Sequence, residues 1–245
     1  MSGLARQLGE YLKSSNNVVF FGGAGVSTES GIPDFRSATG LYSTSTGTSY
    51  PPEYMLSHSC FLDRPRDFFD FYRKNMLYPD AQPNACHLAL AELEQLGKLR
   101  AVVTQNIDGL HQAAGSTNVL ELHGSVHRNY CMECFQSHPM RTIIDNDFPI
   151  CECGGVIKPD VVLYEEGLDE DTINDSVEAI SQADILIVGG TSLNVYPAAG
   201  LVRYYRGKRL ILINKSETPM DHVAHLVVRE PLGEVFTLAM DVVRS

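Results

Sequence analysis

Short apolar runs recur along this chain, separated by stretches whose apolar residues fall three and four positions apart. The runs Val18–Gly22, Arg100–Thr104, Val119–His123, Asp184–Gly190, Arg209–Asn214 and His225–Arg229 are the candidate strands. Alternating with helical patterns, they predict an α/β fold whose parallel sheet is covered on both faces. Between the first two, Asn84 is placed to cap a helix with the stripe Ala85, Leu88, Ala89, Leu93 and Leu96, and Gly97 stands where it stops. Pro231, followed by Val235, Phe236, Leu238, Ala239 and Val242, predicts a closing helix with proline in its first turn.

Two stretches break the rhythm. Residues 37–83 open with a Ser/Thr/Gly tract from Ser37 to Ser49, read as a mobile loop. They continue into an aromatic segment (Tyr50, Tyr54, Phe61, Phe68, Phe69, Phe71, Tyr72, Tyr78) read as a small helical insertion whose rings mostly pack a core. Residues 128–158 hold four of the six cysteines and little periodicity.

Composition narrows the field. With 245 residues, 44% hydrophobic and 20% charged, the chain has room for one large domain with an inserted module. Nineteen Lys and Arg against 30 Asp and Glu leave a net charge of −11, which argues against a general basic surface for nucleic acid. The same balance suits basic protein substrates. No apolar run approaches the roughly 20 residues of a membrane helix. The first thirty residues lack a basic start leading into an apolar stretch, so export is not expected and a cytoplasmic location is. Reduced thiols then read as core residues or metal ligands before disulfides.

The run Val18 to Thr28 is a strand entering a small-residue turn, Gly22-Gly23-Ala24-Gly25. Such a turn suits a dinucleotide pyrophosphate, with backbone N–H groups and a helix N-terminus facing the charge. The dinucleotide fingerprint is incomplete, because Thr28 stands where a third glycine belongs. In Glu29 to Arg36, Pro33 fixes a backbone angle, Phe35 is suited to cover a flat ring, and Arg36 to clamp a phosphate. A surface ion pair is the other reading of Arg36. Thr104-Gln105-Asn106-Ile107-Asp108 leaves the second strand where α/β sheets place ligands, and its polar side chains suit a ribose or a carboxamide. His123 ends the third strand at the same edge and is a candidate general base; hydrogen-bonded packing is the alternative. His58, His87, His138, His222 and His225 are read as packing residues.

Cys131-x2-Cys134 and, sixteen residues on, Cys151-x-Cys153 read as a closed four-thiolate zinc site, structural in role. The tight second pair keeps His127 or His138 open as a substitute ligand, and a zinc-free loop as the alternative. Cys60 and Cys86 are read as buried thiols.

Gly23-Ala24-Gly25-x-Ser27, Gly31-Ile32-Pro33-Asp34-Phe35-Arg36, Thr104 to Asp108, His123-Gly124 and Gly190-Thr191-Ser192-Leu193 together resemble the sirtuins, NAD-dependent protein-lysine deacylases of which the bacterial type is a deacetylase. The match runs in order from about Val18 to Val235. The resemblance implies a Rossmann-like NAD-binding domain (residues 1–36, 84–127 and 159–245), with 37–83 as helical insertion and cofactor loop and 128–158 as zinc-binding insertion. It implies a reaction in which the acyl-lysine oxygen attacks the anomeric carbon of the nicotinamide ribose and nicotinamide leaves as product and inhibitor. His123 then acts as base on the ribose hydroxyls, the 2′-oxygen attacks the imidate carbon, and hydrolysis gives lysine and O-acyl-ADP-ribose. Asn106 joins His123 as catalytic. Ala24, Thr28, Asp34, Phe35, Arg36, Gln105, Ile107, Asp108, Thr191, Ser192 and Asn214 are implied to hold NAD.

The same resemblance places an acetyl-lysine peptide as an added strand between Val161, Leu163, Tyr164 on one side and Leu193, Asn194, Val195 on the other. Glu165 stands where the family usually has glycine, which implies an altered backbone there and a preference for basic residues near the target lysine. Sirtuins preferring succinyl or malonyl groups carry Tyr-x-x-Arg in the helical insertion. Here Tyr72 is followed by Arg73, Lys74 and Asn75, so a neutral acyl group is expected, with Arg73 reaching inward as the exception. A mono-ADP-ribosyltransferase and a non-catalytic NAD-sensing module are the competing readings.

Overall fold

The computed structural model describes residues 2–37, 40–43 and 49–245. In chain order the elements are α1 (Ser2–Lys13), β1 (Val18–Gly22), α2 (Pro52–Met55), α3 (His58–Asp63), α4 (Pro65–Met76), α5 (Ala85–Gln95), β2 (Leu99–Thr104), α6 (Leu110–Ala113), β3 (Val119–Glu121), β4 (Gly124–Cys131), β5 (Ser137–Pro139), α7 (Met140–Ile144), β6 (Ile157–Val161), α8 (Glu170–Gln182), β7 (Ile185–Gly189), β8 (Arg209–Ile213), β9 (Leu226–Val228) and α9 (Leu232–Arg244). The six apolar runs become the six strands of one sheet, ordered β3-β2-β1-β7-β8-β9, with every pairing parallel. Counting only those strands, the order is 3-2-1-4-5-6. The winding reverses between β1 and β7, which opens a crevice at their carboxyl ends.

Asn84 caps α5 as expected, accepting the Cys86 N–H. The stripe is turned from its expected phase: Leu88 and Leu96 are 54% and 51% exposed, while Cys86, Ala89, Leu90 and Leu93 are buried. Apolar residues surround this helix on nearly every side, so their spacing fits more than one phase, and packing beside α9 selects one. Pro231 stands just before α9, whose buried face is Leu232, Val235, Phe236, Ala239 and Met240. The helices α1, α6, α7 and α8 have no counterpart among the expected elements.

The second sheet, β5-β4-β6, is antiparallel and carries the cysteines. Its side chains merge with α2, α3 and α4: Phe61, Phe68, Phe69, Phe71 and Tyr72 share one buried cluster with Cys131, Cys151 and Ile157. Tyr50 is exposed, and Tyr54 and Tyr78 are half-buried. Within the tract expected to be a mobile loop, residues 38, 39 and 44–48 lie outside the described residues.

Candidate active site

The turn after β1 is locked to the turn after β7. The Gly25 N–H donates to the Gly190 carbonyl at 2.8 Å, and a Cβ on Gly25 would lie 2.7 Å from the Gly190 Cα, so only glycine permits the approach. Two single 3₁₀ turns follow, Ala24–Val26 and Thr28–Ser30, in place of the expected α-helix. Anion contacts here therefore fall to backbone N–H groups of the turn and to side chains, without a helix macrodipole. Further on, the chain doubles back so that the Leu41 and Tyr42 N–H groups donate to the Asp34 and Phe35 carbonyls. Phe35 meets Tyr42 edge-on, and the Arg36 guanidinium stands 5.4 Å from the Tyr42 ring. Among the described residues Arg36 forms no ion pair, which removes the surface-pair reading.

Beside this turn the β2 edge supplies a polar chain. Ser27 Oγ donates to Asp108 Oδ2 at 2.6 Å and accepts from Asn106 Nδ2 at 3.0 Å, and the Leu110 N–H donates to Asp108 Oδ1. Gln105 Nε2 donates to Thr191 Oγ1 at 3.4 Å, across the β1–β7 crevice. His123 Nδ1 lies 2.9 Å from the Gln105 carbonyl oxygen. A carbonyl only accepts, so Nδ1 carries the proton and Nε2 is left with its lone pair. Burial pushes the imidazole below its ordinary value of 6.5, against the opposing pull of that carbonyl, so it is neutral at pH 7.

These groups line one cavity of about 720 Å³ between the two sheets. Ala24, Thr28, Asp34, Phe35, Arg36, Gln105, Asn106, Ile107, Asp108, His123, Thr191, Ser192 and Asn214 all form its wall, as do Val161, Leu163, Tyr164 and Val195. Leu193 and Asn194 do not. Leu193 packs into the core behind β7 at a φ of 55°, leaving only its main chain for a ligand, and Asn194 points to solvent. Ser27, Tyr72, Asn75 and Glu230 also line the cavity and had not been singled out as site residues. Ser27 stood inside a quoted motif, and its link to Asp108 is the signal that spacing does not carry.

The segment leaving β6, from Val161 to Tyr164, is tied at several points. The Val162 N–H donates to the His123 carbonyl, and Tyr164 pairs through its backbone with Leu56 and His58. The Tyr164 and Tyr42 hydroxyls are hydrogen-bonded, joining this segment to the turn that carries Phe35 and Arg36. Glu166 accepts from the Leu163 N–H, from Lys158 and from His58. Burial alone would raise its carboxyl, but those three donors hold it below the usual carboxylate range. Glu165 keeps a left-handed backbone, φ 77°, and its carboxylate binds the Ser59 N–H and hydroxyl at the start of α3. Both bonds fall on Oε2, and the exposed side chain lines the cavity. Arg73 does not reach inward: it pairs with Asp70 and donates to the carbonyls of Asn146 and Asp147.

The cysteines converge. The sulfur atoms of Cys131, Cys134, Cys151 and Cys153 lie within 4.8 Å of one another, with Cys131–Cys153 at 3.4 Å and Cys134–Cys151 at 3.7 Å. A tetrahedron with Zn–S bonds of about 2.3 Å has edges of about 3.8 Å, so the donor set fits zinc. Backbone N–H groups of Cys134 and Glu133 lower the Cys131 thiol to about 6, toward the thiolate a metal requires. A Cβ on Gly155 would meet the Cys131 sulfur at 2.6 Å, which is why glycine follows the tight second pair. His127 is not needed as a ligand: its Nε2 donates to the Asp108 carbonyl.

The Sir2 family model matches residues 23–197. The chain is 60% identical over 232 residues to an NAD-dependent protein deacetylase of Clostridium acetobutylicum, covering 94% of this chain and 95% of that one. It is a member of the Sir2 family. The corresponding deacetylase of Clostridium perfringens is 57% identical, covering 96% of this chain and 98% of that one. Among solved structures, a Sir2–p53 peptide–NAD+ complex superposes with a TM-score of 0.84 at 36% identity, covering 96% of this chain and 97% of that one. A second Sir2 structure, from work on the mechanism and regulation of these enzymes, reaches 0.89 at 38% identity over 100% of this chain and 99% of that one. The Sir2 fold thus accounts for the strand order, the crevice and the cysteine lobe together.

Proposed function

We propose that this Sir2-family chain deacetylates acetyl-lysine in proteins with NAD as co-substrate, releasing nicotinamide and O-acetyl-ADP-ribose. The carrying observation is the neutral imidazole of His123, its Nδ1 proton held by the Gln105 carbonyl and its Nε2 without a partner among the described residues, in a cavity shared with Asn106, Asp108 and the segment Val161–Tyr164. The relatives named as NAD-dependent deacetylases, and the Sir2 complexes with acetylated peptide and NAD+, support the same reading. When bound, NAD supplies an electrophilic ribose carbon. The chain's own residues bind and orient it. The Gly23 and Gly25 N–H groups are taken by the Gly189 and Gly190 carbonyls, so the turn would meet the pyrophosphate at Ala24 and Thr28, while Gln105 and Asn106 would face the ribose and Ile107 and Asp108 the carboxamide. His123 Nε2 takes a ribose hydroxyl proton.

Zinc fits the four thiols in a structural role, because all four coordination positions are protein sulfur. The NAD-binding domain is read as residues 1–36, 84–127 and 159–245, with insertions at 37–83 and 128–158. A cytoplasmic location is supported by thiols that must stay reduced. Among the described residues no helix is long and apolar enough to cross a membrane. Incubating purified protein with acetyl-lysine peptide, with and without NAD, tests the reaction. Free lysine and nicotinamide appearing only with both substrates is the expected result; nicotinamide release without peptide overturns it.

A further inference from the structure

His123 stands where the chain crosses from one sheet to the other. Glu121 closes β3, Gly124 opens β4, and the His123 carbonyl accepts the Val162 N–H at 3.0 Å. From there β4 runs without a regular ladder. Gly124 pairs with Val161 and Asn129 with Pro159, so four residues of β4 face the single residue Asp160 of β6. Within this bulge the Val126 N–H turns to the Ile107 carbonyl and His127 Nε2 to the Asp108 carbonyl. The bulge thus serves the cofactor edge, and it interrupts the backbone pairing of β4 with β6 beside the base.

Arg128 spans that interruption. Its Nε donates to Asp160 Oδ2 at 2.7 Å and its Nη1 to Glu121 Oε2 at 2.6 Å, so one guanidinium joins the end of the main sheet to the small sheet. The Glu121 side chain is 8% exposed, and its other oxygen accepts from Gln112 Nε2 at 2.9 Å. Most surface ion pairs contribute little. This cation instead completes the partners of a nearly buried carboxylate, and its planar fork fixes two elements at once. Both carboxylates adjoin the reacting groups along the chain: His123 follows Glu121 by two residues, and Val161 follows Asp160 directly. Glu121, Arg128 and Asp160 themselves stand outside the cavity wall.

We propose that Arg128 is a positioning residue for the reaction: by clasping Glu121 and Asp160 it sets the spacing between the His123 imidazole and the segment Val161–Tyr164 assigned to the peptide. This rests on the deacetylase reading above. Arg128 touches neither substrate and acts only through its partners. A base displaced from the ribose hydroxyl loses rate, while the contacts that bind peptide and NAD remain. The effect therefore falls on kcat. Lysine at this position is a point charge that meets one carboxylate at a time, so it restores part of the clasp.

The test reads kcat and KM separately for an acetyl-lysine peptide at saturating NAD, beside calorimetric titration of NAD and a melting curve. Arg128→Gln is expected to lower kcat about tenfold, with peptide KM and NAD affinity changed by less than about threefold. Arg128→Lys should recover part of that loss. Asp160→Asn, at the more exposed end of the clasp, should also lower kcat and add little when combined with Arg128→Gln. It serves on its own if Arg128→Gln does not fold. An unchanged kcat with a lowered melting temperature makes the clasp a structural ion pair and overturns the inference. So do additive losses, or a loss carried by KM or NAD affinity; deacetylation stands in each of these cases. No turnover by the unaltered protein overturns the deacetylase reading and this inference with it.

Discussion

The hydroxyl of Ser27 donates to the carboxylate of Asp108 across 2.6 Å, joining the turn after β1 to the turn after β2. Ser27 is almost fully buried and also receives the Asn106 amide, so one hydroxyl sets the positions of two residues assigned to the cofactor. Ser27→Ala should leave Asp108 and Asn106 short of a partner and misplace both. The expected result is a fall of about tenfold or more in kcat/KM for NAD, with a smaller change in thermal midpoint, read by steady-state kinetics beside a melting curve.

His123→Ala should abolish turnover while NAD binding, followed by calorimetric titration, changes little. In the unaltered protein the lowered imidazole places the acid limb of the kcat/KM profile below pH 6.5. Below that limb the ring is protonated on both nitrogens and accepts no proton. A limb at or above pH 7 contradicts the assignment.

The buried rings of His87 and His111 lie 4.7 Å apart with their planes tilted by 60°, and three of their ring nitrogens are unpartnered among the described residues. Burial pushes His87 down to about 4 and His111 down to about 3, the latter also through His87. The unfolded chain binds these protons from about pH 6.5 downward and the folded chain does not. Their contribution to stability is therefore complete above about 6.5 and shrinks as pH falls toward 4 and 3. Urea midpoints at pH 7.5 and pH 5 should differ in that direction, and His111→Leu should flatten the slope.

Chelation of the metal should lower the melting temperature and abolish activity together, and metal analysis should find about one zinc per chain. Cys153→Ser should do the same. Activity surviving complete metal removal counts against the structural role.

The Tyr42–Tyr164 hydroxyl pair ties the turn carrying Phe35 and Arg36 to the segment Val161–Tyr164. Tyr42→Phe and Tyr164→Phe should each weaken the gain in NAD affinity brought by acetyl peptide, and the double variant should add little. Independent, additive losses argue that the pair transmits nothing.

The main sheet was legible because strands covered on both faces must be continuously apolar, and Val18–Gly22 or Ile185–Gly189 leave no alternative face. The four thiols were legible because coordination geometry constrains sequence spacing. The phase of α5 was not, since Leu88 and Leu90 are equally apolar and only tertiary packing separates them. Leu193 sat in a substrate-side motif, but a left-handed backbone turns its side chain into the core. Glu165 is the sharpest case. Its position demanded the left-handed conformation that favours glycine, and hydrogen bonds to Ser59, distant in sequence, let a glutamate hold it. Partners of that kind are set by tertiary structure and leave no local trace.

The aromatic helices and the cysteine ribbon arrive from sequence segments more than fifty residues apart, but Phe61 to Tyr72 and Cys131, Cys151 and Ile157 complete a single interior. Neither half is a transplantable module. Grafting one insertion onto another scaffold, or trimming one to shrink the protein, strips the remaining half of its hydrophobic counterpart. A minimal version of this chain must carry both or lose the chamber they enclose.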